Sequence, residues 1–251
     1  MPERCLLAIP VFNEARHLDR VLDSARRYAG DILVIDDGST DRTPALLARR
    51  DDVEVRTHAE NRGYGHSVRC AFSHALRYGY DWLITMDSDE QHEAASIPRF
   101  LETARRDHPD VISGTRYPNG HAAGGPAPAD RRAINRRITA LINQRLGLGI
   151  TDAFCGFKAY RVAALQALRI TVPGYAMPME FWVQAAAARL RIVELAVPLI
   201  YNDPTRHFGG WLDDPAARMA HYREVFDTAL AAVTDTAEAH PRHAPTCLPC
   251  R

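Results

Sequence analysis

Three short apolar segments, each ending in a polar cluster, constrain the fold of this chain more than any other feature of its sequence. They cover residues 5–12, 31–35 and 81–86, and apolar residues at helical spacing follow the first of them. Short continuous apolar runs are typical of strands that are buried on both faces. Strands that alternate with helices at this spacing predict an α/β fold, with a mostly parallel sheet and helices on both of its faces.

The polar clusters at the ends of these strands are Asn13-Glu14, Asp36-Asp37 and Asp87-Ser88-Asp89. In α/β proteins of this kind, ligands bind in the crevice beyond the carboxyl ends of the parallel strands. Capping of the next helix would explain a single polar cluster. Three such clusters at neighbouring strand ends indicate a binding site.

Asp87 and Asp89 stand two residues apart where the chain leaves a buried strand, so their carboxylates can converge on one cation. Mg²⁺ and Mn²⁺ prefer carboxylates, phosphate oxygens and water as ligands. Such a cation neutralises the charge that develops on a departing diphosphate. The alternative interpretation of this pair is a solvated acidic turn. Gly38, which follows the second cluster, allows the backbone to approach a ligand closely.

The composition predicts a soluble globular domain. The chain has 251 residues, of which 46% are hydrophobic and 25% charged, and its formal net charge is zero. No nucleic-acid partner is therefore expected. No apolar run reaches the roughly 20 residues that span a bilayer, and no apolar signal region follows Met1. We expect a cytoplasmic protein that is at most peripheral to a membrane.

The second half of the chain is less regular but is expected to continue the same domain. The patterns predict strands at residues 111–114 and 191–197, and helices at 130–146, 179–190 and 215–233. The last helix is amphipathic, which favours packing on the sheet, with a membrane-surface role as the alternative. The domain is expected to span residues 1–236. Residues 237–251, which include Cys247 and Cys250, are expected to form a disordered tail.

Three motifs, in this order and at this spacing, resemble family 2 glycosyltransferases of the GT-A fold, a Rossmann-like α/β architecture. They are IPVFNE at residues 9–14, VIDDGSTD at 34–41 and MDSDEQH at 86–92. Two later stretches are similar to the dolichyl- or polyprenyl-phosphate mannosyltransferase branch: SGTRY at 113–117 and TDAFCGFKAY at 151–160. The likeness extends over residues 6–210.

This resemblance implies roles for individual residues. The donor nucleotide would be bound by Pro10, Val11, Glu14, Asp36, Asp37 and Asp87. Asp87 and Asp89 would hold Mg²⁺ or Mn²⁺ together with the donor diphosphate, and Gln91 would lie beside the sugar at the catalytic centre. Arg116 and Arg131 match arginines that hold the acceptor phosphate in that branch, in agreement with the suitability of guanidinium groups for phosphate.

One stretch departs from the pattern of that branch, which usually carries Arg-x-x-Gly-x-Ser-Lys near the end of the catalytic domain. The counterpart here is TRHFGGW at residues 205–211. Arg206 can still reach the donor diphosphate, but the Ser-Lys pair is missing. Two acceptors therefore stay open: a polyprenyl or dolichyl phosphate, and a small hydroxyl-bearing molecule of specialised metabolism.

The acceptor decides whether the reaction needs a base. The resemblance implies a direct, inverting displacement of a hexose from GDP-mannose or a UDP-sugar. A phosphate monoester, with a second pKa of about 6, is already ionised at neutral pH, whereas a hydroxyl must lose its proton to a nearby carboxylate or histidine. Asp152 is the candidate base, and Glu180, on the acceptor side, is the second. A non-catalytic protein that binds nucleotide sugars is the weaker alternative.

Overall fold

The computed structural model describes residues 3–125, 127–201 and 210–239. Its strands are β1 (Cys5–Val11), β2 (Asp31–Asp36), β3 (Glu54–Thr57), β4 (Trp82–Thr85), β5 (Val111–Thr115), β6 (Lys158–Arg161) and β7 (Ile192–Ala196). Its helices are α1 (Leu18–Arg26), α2 (Thr43–Leu47), α3 (Tyr64–Arg77), α4 (Ile97–Asp107), α5 (Ala129–Leu146), α6 (Met177–Ala187) and α7 (Pro215–Ala239). Short 3₁₀ turns lie at Ala94–Ser96, Pro118–Gly120, Val162–Ala167 and Gly210–Asp213.

The described strands form one sheet with the order β3-β2-β1-β4-β6-β5-β7. β1 pairs in parallel with β2 on one side and with β4 on the other, so the three strands that end in polar clusters are neighbours in the middle of the sheet. Their carboxyl ends meet at one edge, as the sequence predicts. Among the described strands, only β6 runs antiparallel to its neighbours.

Helices cover both faces of this sheet, which confirms the predicted fold class. Because side chains alternate along a strand, β1 contributes to two separate cores. Leu6 and Ala8 belong to the core with α3, α5 and α6. Leu7 and Ile9 belong to the core with α1 and α4, which includes the fully buried Phe100. Burial of each large apolar side chain contributes about 2 kcal/mol to the hydrophobic driving force.

The strand β6 was not expected from the sequence. It is only four residues long and begins with a lysine, so it carries none of the apolar signal of the other central strands. The structure nevertheless buries Lys158, Ala159 and Tyr160. β6 lies between β4 and β5 and joins the regular first half of the sheet to the second half.

The amphipathic helix α7 does not pack on the sheet, contrary to the expectation from its apolar stripe. It packs on α5 and α6, where Tyr222, Phe226 and Ala229 are buried. The sheet face is already covered by these helices, so α7 forms a further layer. It extends to Ala239, beyond the expected domain end at 236, and Cys247 and Cys250 of the expected tail lie outside the described residues. Within the described residues, no helix has the length and apolar character that crossing a bilayer requires.

Candidate active site

A cavity of about 800 Å³ opens at the carboxyl ends of β1, β2 and β4. Its volume is within the range of small-molecule and cofactor sites. Of the residues predicted from the sequence, its wall contains Pro10, Val11, Glu14, Asp37, Asp87, Asp89, Gln91, Arg116 and Arg131. Three others, Asp36, Asp152 and Glu180, do not line it, and Arg206 lies outside the described residues.

Asp37 organises one end of this cavity, which we call the donor end. Its carboxylate accepts hydrogen bonds from the backbone N–H of Arg62 (3.0 Å) and of Gly63 (2.7 Å), and it lies 2.6 Å from Nδ1 of His58. The loop that precedes α3 is therefore fixed against the end of β2. Gly63 has a φ of +96°, and a Cβ there would lie 2.5 Å from the carbonyl oxygen of Pro173.

Asp36, the last residue of β2, is not among the residues that line the cavity, whereas Asp37, the first residue after the strand, is. The predicted donor contact of Asp36 therefore stays a prediction. Asp36 is fully buried and accepts a hydrogen bond from the backbone N–H of Ser39 (3.0 Å). It supports the turn after β2.

Asn13 joins the two loops that follow β1 and β2. Its side-chain oxygen accepts hydrogen bonds from the backbone N–H of Thr40 (2.8 Å) and of Asp41 (3.2 Å). Its own N–H donates to the hydroxyl of Ser39 (2.9 Å), and its φ of 55° bends the chain out of the strand. The first two polar clusters are thus one connected structure.

Asp87 lines the cavity and is packed closely against Gly156. A Cβ at position 156 would lie only 2.5 Å from Oδ2 of Asp87. The carbonyl oxygen of Gly156 accepts a hydrogen bond from the hydroxyl of Thr85 (2.7 Å), which holds this glycine in place. Asp87 also interacts with the hydroxyl of Tyr64, whose pKa is raised first by burial and then by this carboxylate.

Asp89 follows on the same loop and also lines the cavity. Its Oδ1 accepts a hydrogen bond from the backbone N–H of Gln91 (3.1 Å). Asp87 and Asp89 therefore present carboxylate oxygens to one cavity, and oxygen ligands are what Mg²⁺ and Mn²⁺ require. The residues present fit a divalent cation of this kind.

Two basic side chains with little solvent exposure, those of His92 and Lys158, lie near the acidic pair. The sequence analysis did not identify either of them as a site residue. His92 accepts a hydrogen bond at Nδ1 from the backbone N–H of Asp87 (3.1 Å), and burial lowers the pKa of His92 to about 4. Lys158 is buried, its Nζ donates to the carbonyl oxygen of Cys155, and burial lowers its pKa as well. Both residues lie within the motifs noted above, but their burial depends on the tertiary structure.

Asp152 does not fit the predicted role of a base. Its carboxylate is fully buried and forms a bidentate pair with Arg116, with Nε–Oδ2 at 2.7 Å and Nη2–Oδ1 at 2.9 Å. It also accepts a hydrogen bond from the side-chain amide of Asn135 (2.9 Å). Burial alone would raise its pKa, but Arg116 and these hydrogen bonds lower it to about 2. A carboxylate that is so fully bonded is a weak base, and its role is to position Arg116.

Glu180 also forms its hydrogen bonds within the protein and does not line the cavity. Its carboxylate is buried and accepts hydrogen bonds from the backbone N–H (2.8 Å) and hydroxyl (2.7 Å) of Thr171 and from the N–H of Val172 (2.9 Å). It anchors the segment before α6 to the first turn of that helix. Neither the predicted acceptor contact nor a base role fits this position.

The other end of the cavity, which we call the arginine end, is lined by Arg116, Tyr117, Arg131, Ile134, Asn135, Phe154, Tyr201, Arg218 and Tyr222. The guanidinium of Arg131 lies 5.8 Å from the ring centre of Tyr201. Arg218, on α7, donates to Asp130 (2.7 Å) in the first turn of α5. No carboxylate is among these lining residues in the described part of the chain.

The arginine end also contains residues that the sequence did not reveal. Arg218 belongs to a helix whose pattern indicated only packing. Asn135 is one polar residue on the buried face of α5, where it bonds Asp152. The signal available in the sequence was the pair of polar residues Asn135 and Thr139 among the isoleucines of the buried face of α5. No local pattern identified Arg218.

Comparisons with known proteins agree with this geometry. The family model "Glycosyl transferase family 2" matches residues 7–169. An undecaprenyl-phosphate mannosyltransferase of Micrococcus luteus is 31% identical over 210 residues, which cover 80% of this chain and 85% of the relative. A polyprenol monophosphomannose synthase of Mycolicibacterium smegmatis is 29% identical over 212 residues, with 80% and 78% covered.

A solved structure shares the fold at lower sequence similarity. Glucosyl-3-phosphoglycerate synthase from Mycobacterium tuberculosis, in complex with Mn²⁺, uridine diphosphate and glucosyl-3-phosphoglycerate, superposes with a TM-score of 0.69. The match covers 92% of this chain and 81% of the other, at 17% identity. It establishes a common architecture.

Proposed function

The chain belongs to glycosyltransferase family 2, and we propose that it moves a hexose from GDP-mannose or a UDP-sugar to a polyprenyl phosphate, with inversion at the anomeric carbon. The two relatives described above are named for mannosyl transfer to lipid phosphates of this class. The observation that carries the proposal for this chain is the arginine end, which has cationic and aromatic walls and, in its described lining, no carboxylate.

The donor nucleotide is proposed to bind at the donor end. Pro10, Val11 and Asp37 line the cavity there, and Glu14 lies beside them. The diphosphate would lie at Asp87 and Asp89, which would hold Mg²⁺ or Mn²⁺. When bound, this cation neutralises negative charge on the leaving nucleoside diphosphate. In the M. tuberculosis structure, a protein of the same fold holds Mn²⁺ together with uridine diphosphate.

The acceptor phosphate is proposed to bind at Arg116 and Arg131. Asp152 holds two of the donors of Arg116, and among the described residues Nη1 has no hydrogen-bond partner. A phosphate oxygen would attack the anomeric carbon as the bond from that carbon to the diphosphate breaks, which inverts the configuration. Because the phosphate is already ionised at neutral pH, this step needs no base.

A small hydroxyl-bearing acceptor is the weaker alternative. It would need a carboxylate or histidine within hydrogen-bond reach of the hydroxyl. Asp152 and Glu180, the two candidates from the sequence, are both buried and fully bonded within the protein. The arginine end therefore favours the phosphate acceptor.

A polyprenyl acceptor also requires the cavity to open towards a membrane surface. Phe12 and Tyr175 line the cavity and are 42% and 45% exposed. Exposed aromatic side chains suit the boundary between lipid and water. We propose peripheral contact with the bilayer at this rim.

The proposal is tested by incubating the full chain with radiolabelled GDP-mannose or UDP-glucose, undecaprenyl phosphate in detergent, and Mg²⁺ or Mn²⁺. Label is expected in the organic phase after extraction, and nuclear magnetic resonance of the product should show the anomeric configuration opposite to that of the donor. Label that stays in the aqueous phase but enters added small hydroxyl acceptors would support the alternative and reject the lipid phosphate. Nucleotide-sugar binding without any transfer would support a non-catalytic protein.

A further inference from the structure

A cluster of nitrogen and sulfur ligands lies beside the donor end, away from Asp87 and Asp89. It consists of His58, which follows β3, and of His66 and Cys70 on α3. One potential ligand atom of each residue lies within 4.8 Å of the others. His66 and Cys70 are four residues apart, so they share one face of the helix. The backbone N–H of His58 donates to the carbonyl oxygen of Asp36 (2.9 Å), which ties this residue to the end of β2.

The hydrogen bonds of His58 orient its ring for metal binding. Nδ1 lies 2.6 Å from Oδ1 of Asp37, and Nε2 lies 3.4 Å from Sγ of Cys70. When Nδ1 donates its proton to Asp37, the lone pair of Nε2 faces the sulfur. Histidines that bind metals almost always donate their other ring N–H to a carboxylate or carbonyl in this way, which fixes the tautomer and raises the basicity of the ligand nitrogen.

The burial of the cluster also suits a metal ligand set. His66 is buried and the side chain of His58 is 12% exposed. Burial, the first cause, and nearby arginines lower the pKa of His66 to about 4, so its ring is neutral at neutral pH. A neutral imidazole is the form that binds a metal.

We propose that His58, His66 and Cys70 bind a zinc-class cation, as a site distinct from the catalytic Mg²⁺ or Mn²⁺ position. Two imidazoles and a thiolate favour Zn²⁺, Co²⁺ or copper over Mg²⁺, which prefers oxygen ligands. A cation at this site would crosslink the segment after β3 to α3. Because Asp37 also holds the loop before α3, this crosslink would stabilise the wall of the donor end.

Binding of a cation at this site is expected to release one proton. The Cys70 thiol loses its proton to solvent when sulfur binds the cation, so affinity rises with pH. Arg69 contacts Nδ1 of His66 at 2.5 Å. A cation at His66 must therefore displace this guanidinium or bind the opposite ring nitrogen.

The test uses Co²⁺ as a spectroscopic probe on the full chain after chelator treatment. Excess Mg²⁺ is present to occupy Asp87 and Asp89. A thiolate-to-cobalt charge-transfer band is expected with one equivalent of Co²⁺, and Zn²⁺ should displace it. Carboxylate ligands at the catalytic pair give no such band, so the result does not depend on the proposed transferase activity.

Matched variants locate the sulfur ligand. Cys70→Ser should abolish the band, whereas Cys5→Ser and the double variant Cys247→Ser with Cys250→Ser should retain it. Asp37→Asn should weaken Co²⁺ binding by about 10- to 100-fold, because Asp37 orients a ligand without touching the metal. Circular dichroism of the metal-free variants checks that each is folded. Absence of the band in the wild type, or its retention in Cys70→Ser, would overturn the proposal.

Discussion

At the scale of single residues, the carboxylates of this protein divide into two kinds by their surroundings. Asp87 and Asp89 face the cavity and can bind a cation, whereas Asp152 and Glu180 are buried and bonded to the protein itself. The same residue type therefore presents oxygen atoms to a cavity in one place and positions other groups of the protein in another. Solvent access and hydrogen-bond partners decide between the two roles.

The acidic pair gives the first prediction. Asp89→Ala should lower transfer by about 10²- to 10³-fold, because a charged ligand near the leaving diphosphate is lost. Initial rates with saturating donor and Mn²⁺ measure the effect. Glu93→Gln, an exposed acid four residues further along, is the matched control and should keep wild-type rates. An Asp89→Ala enzyme with unchanged rates would contradict the metal assignment.

Arg131 gives the second prediction. Arg131→Gln should raise KM for the lipid phosphate by about 10-fold or more, since a charge-assisted hydrogen bond to phosphate is worth about 1.5–3 kcal/mol. KM for the donor should change little. Arg132→Gln is the control, because Arg132 is exposed and does not line the cavity. Equal effects of the two substitutions would show that general surface charge, and not a specific contact, attracts the acceptor.

The pair of Asp152 and Arg116 gives the third prediction. Asp152→Asn should lower the free energy of unfolding at pH 7 by about 3–5 kcal/mol, because it leaves the guanidinium of Arg116, whose side chain is only 15% exposed, without its counter-charge. The folded-state pKa of Asp152, about 2, is below the unfolded value of about 3.9. Its stabilising contribution is therefore complete above about pH 4 and is lost as the pH falls towards 2.

Urea unfolding of the wild type and of Asp152→Asn across pH 7 to 3 measures this contribution. The difference in the free energy of unfolding between the two proteins should become smaller only below about pH 4. If it already becomes smaller between pH 7 and 5, a group other than Asp152 causes the pH dependence.

At the scale of elements, β6 connects the two ends of the site. It pairs with β4, whose end carries Asp87, and with β5, whose end carries Arg116. Gly156, just before β6, lies against the carboxylate of Asp87. The position of this antiparallel strand therefore sets where the acidic pair stands relative to the arginine end.

Gly156 gives the fourth prediction. Gly156→Ala should displace Asp87 and reduce both Mn²⁺ affinity and transfer by about 10-fold or more, since a Cβ would approach Oδ2 to 2.5 Å and small displacements at a reacting centre are costly. Calorimetric titration measures the affinity for Mn²⁺, and initial rates measure the transfer activity. Gly30→Ala is the control, because a Cβ there meets nothing within 4 Å. Wild-type Mn²⁺ affinity in Gly156→Ala would contradict this role.

At the scale of the whole molecule, the first half of the chain builds the donor end and the second half builds the arginine end. The helix α7 adds Arg218 and Tyr222 to the wall from a layer outside α5 and α6. Asp87 and Asp89 line the same cavity as the residues of both ends.

This arrangement gives the fifth prediction. A nucleoside diphosphate should raise the melting temperature only together with Mn²⁺ or Mg²⁺, because Asp87 and Asp89 would bind the diphosphate through such a cation. A ligand at 100 times its Kd stabilises the folded state by about 2.7 kcal/mol. The change in melting temperature is measured with GDP, UDP, ADP and CDP, each with and without metal, and the largest change identifies the preferred base. An equal increase in melting temperature with a chelator present would reject a metal-mediated diphosphate site.

Local patterns in the sequence predict the parallel strands β1, β2 and β4 and the polar clusters at their ends. Hydrophobic runs and helical periodicity are local features that can be read from the sequence. Because the carboxyl ends of parallel strands share one edge of the sheet, Asp37, Asp87 and Asp89 are expected at the same edge. The folded structure determines which carboxylates are available and which are paired, as at Asp152 and Glu180. It also decided the place of β6 and the contribution of α7 to the wall. Burial and partner choice depend on contacts between residues far apart in the chain, which no local pattern records.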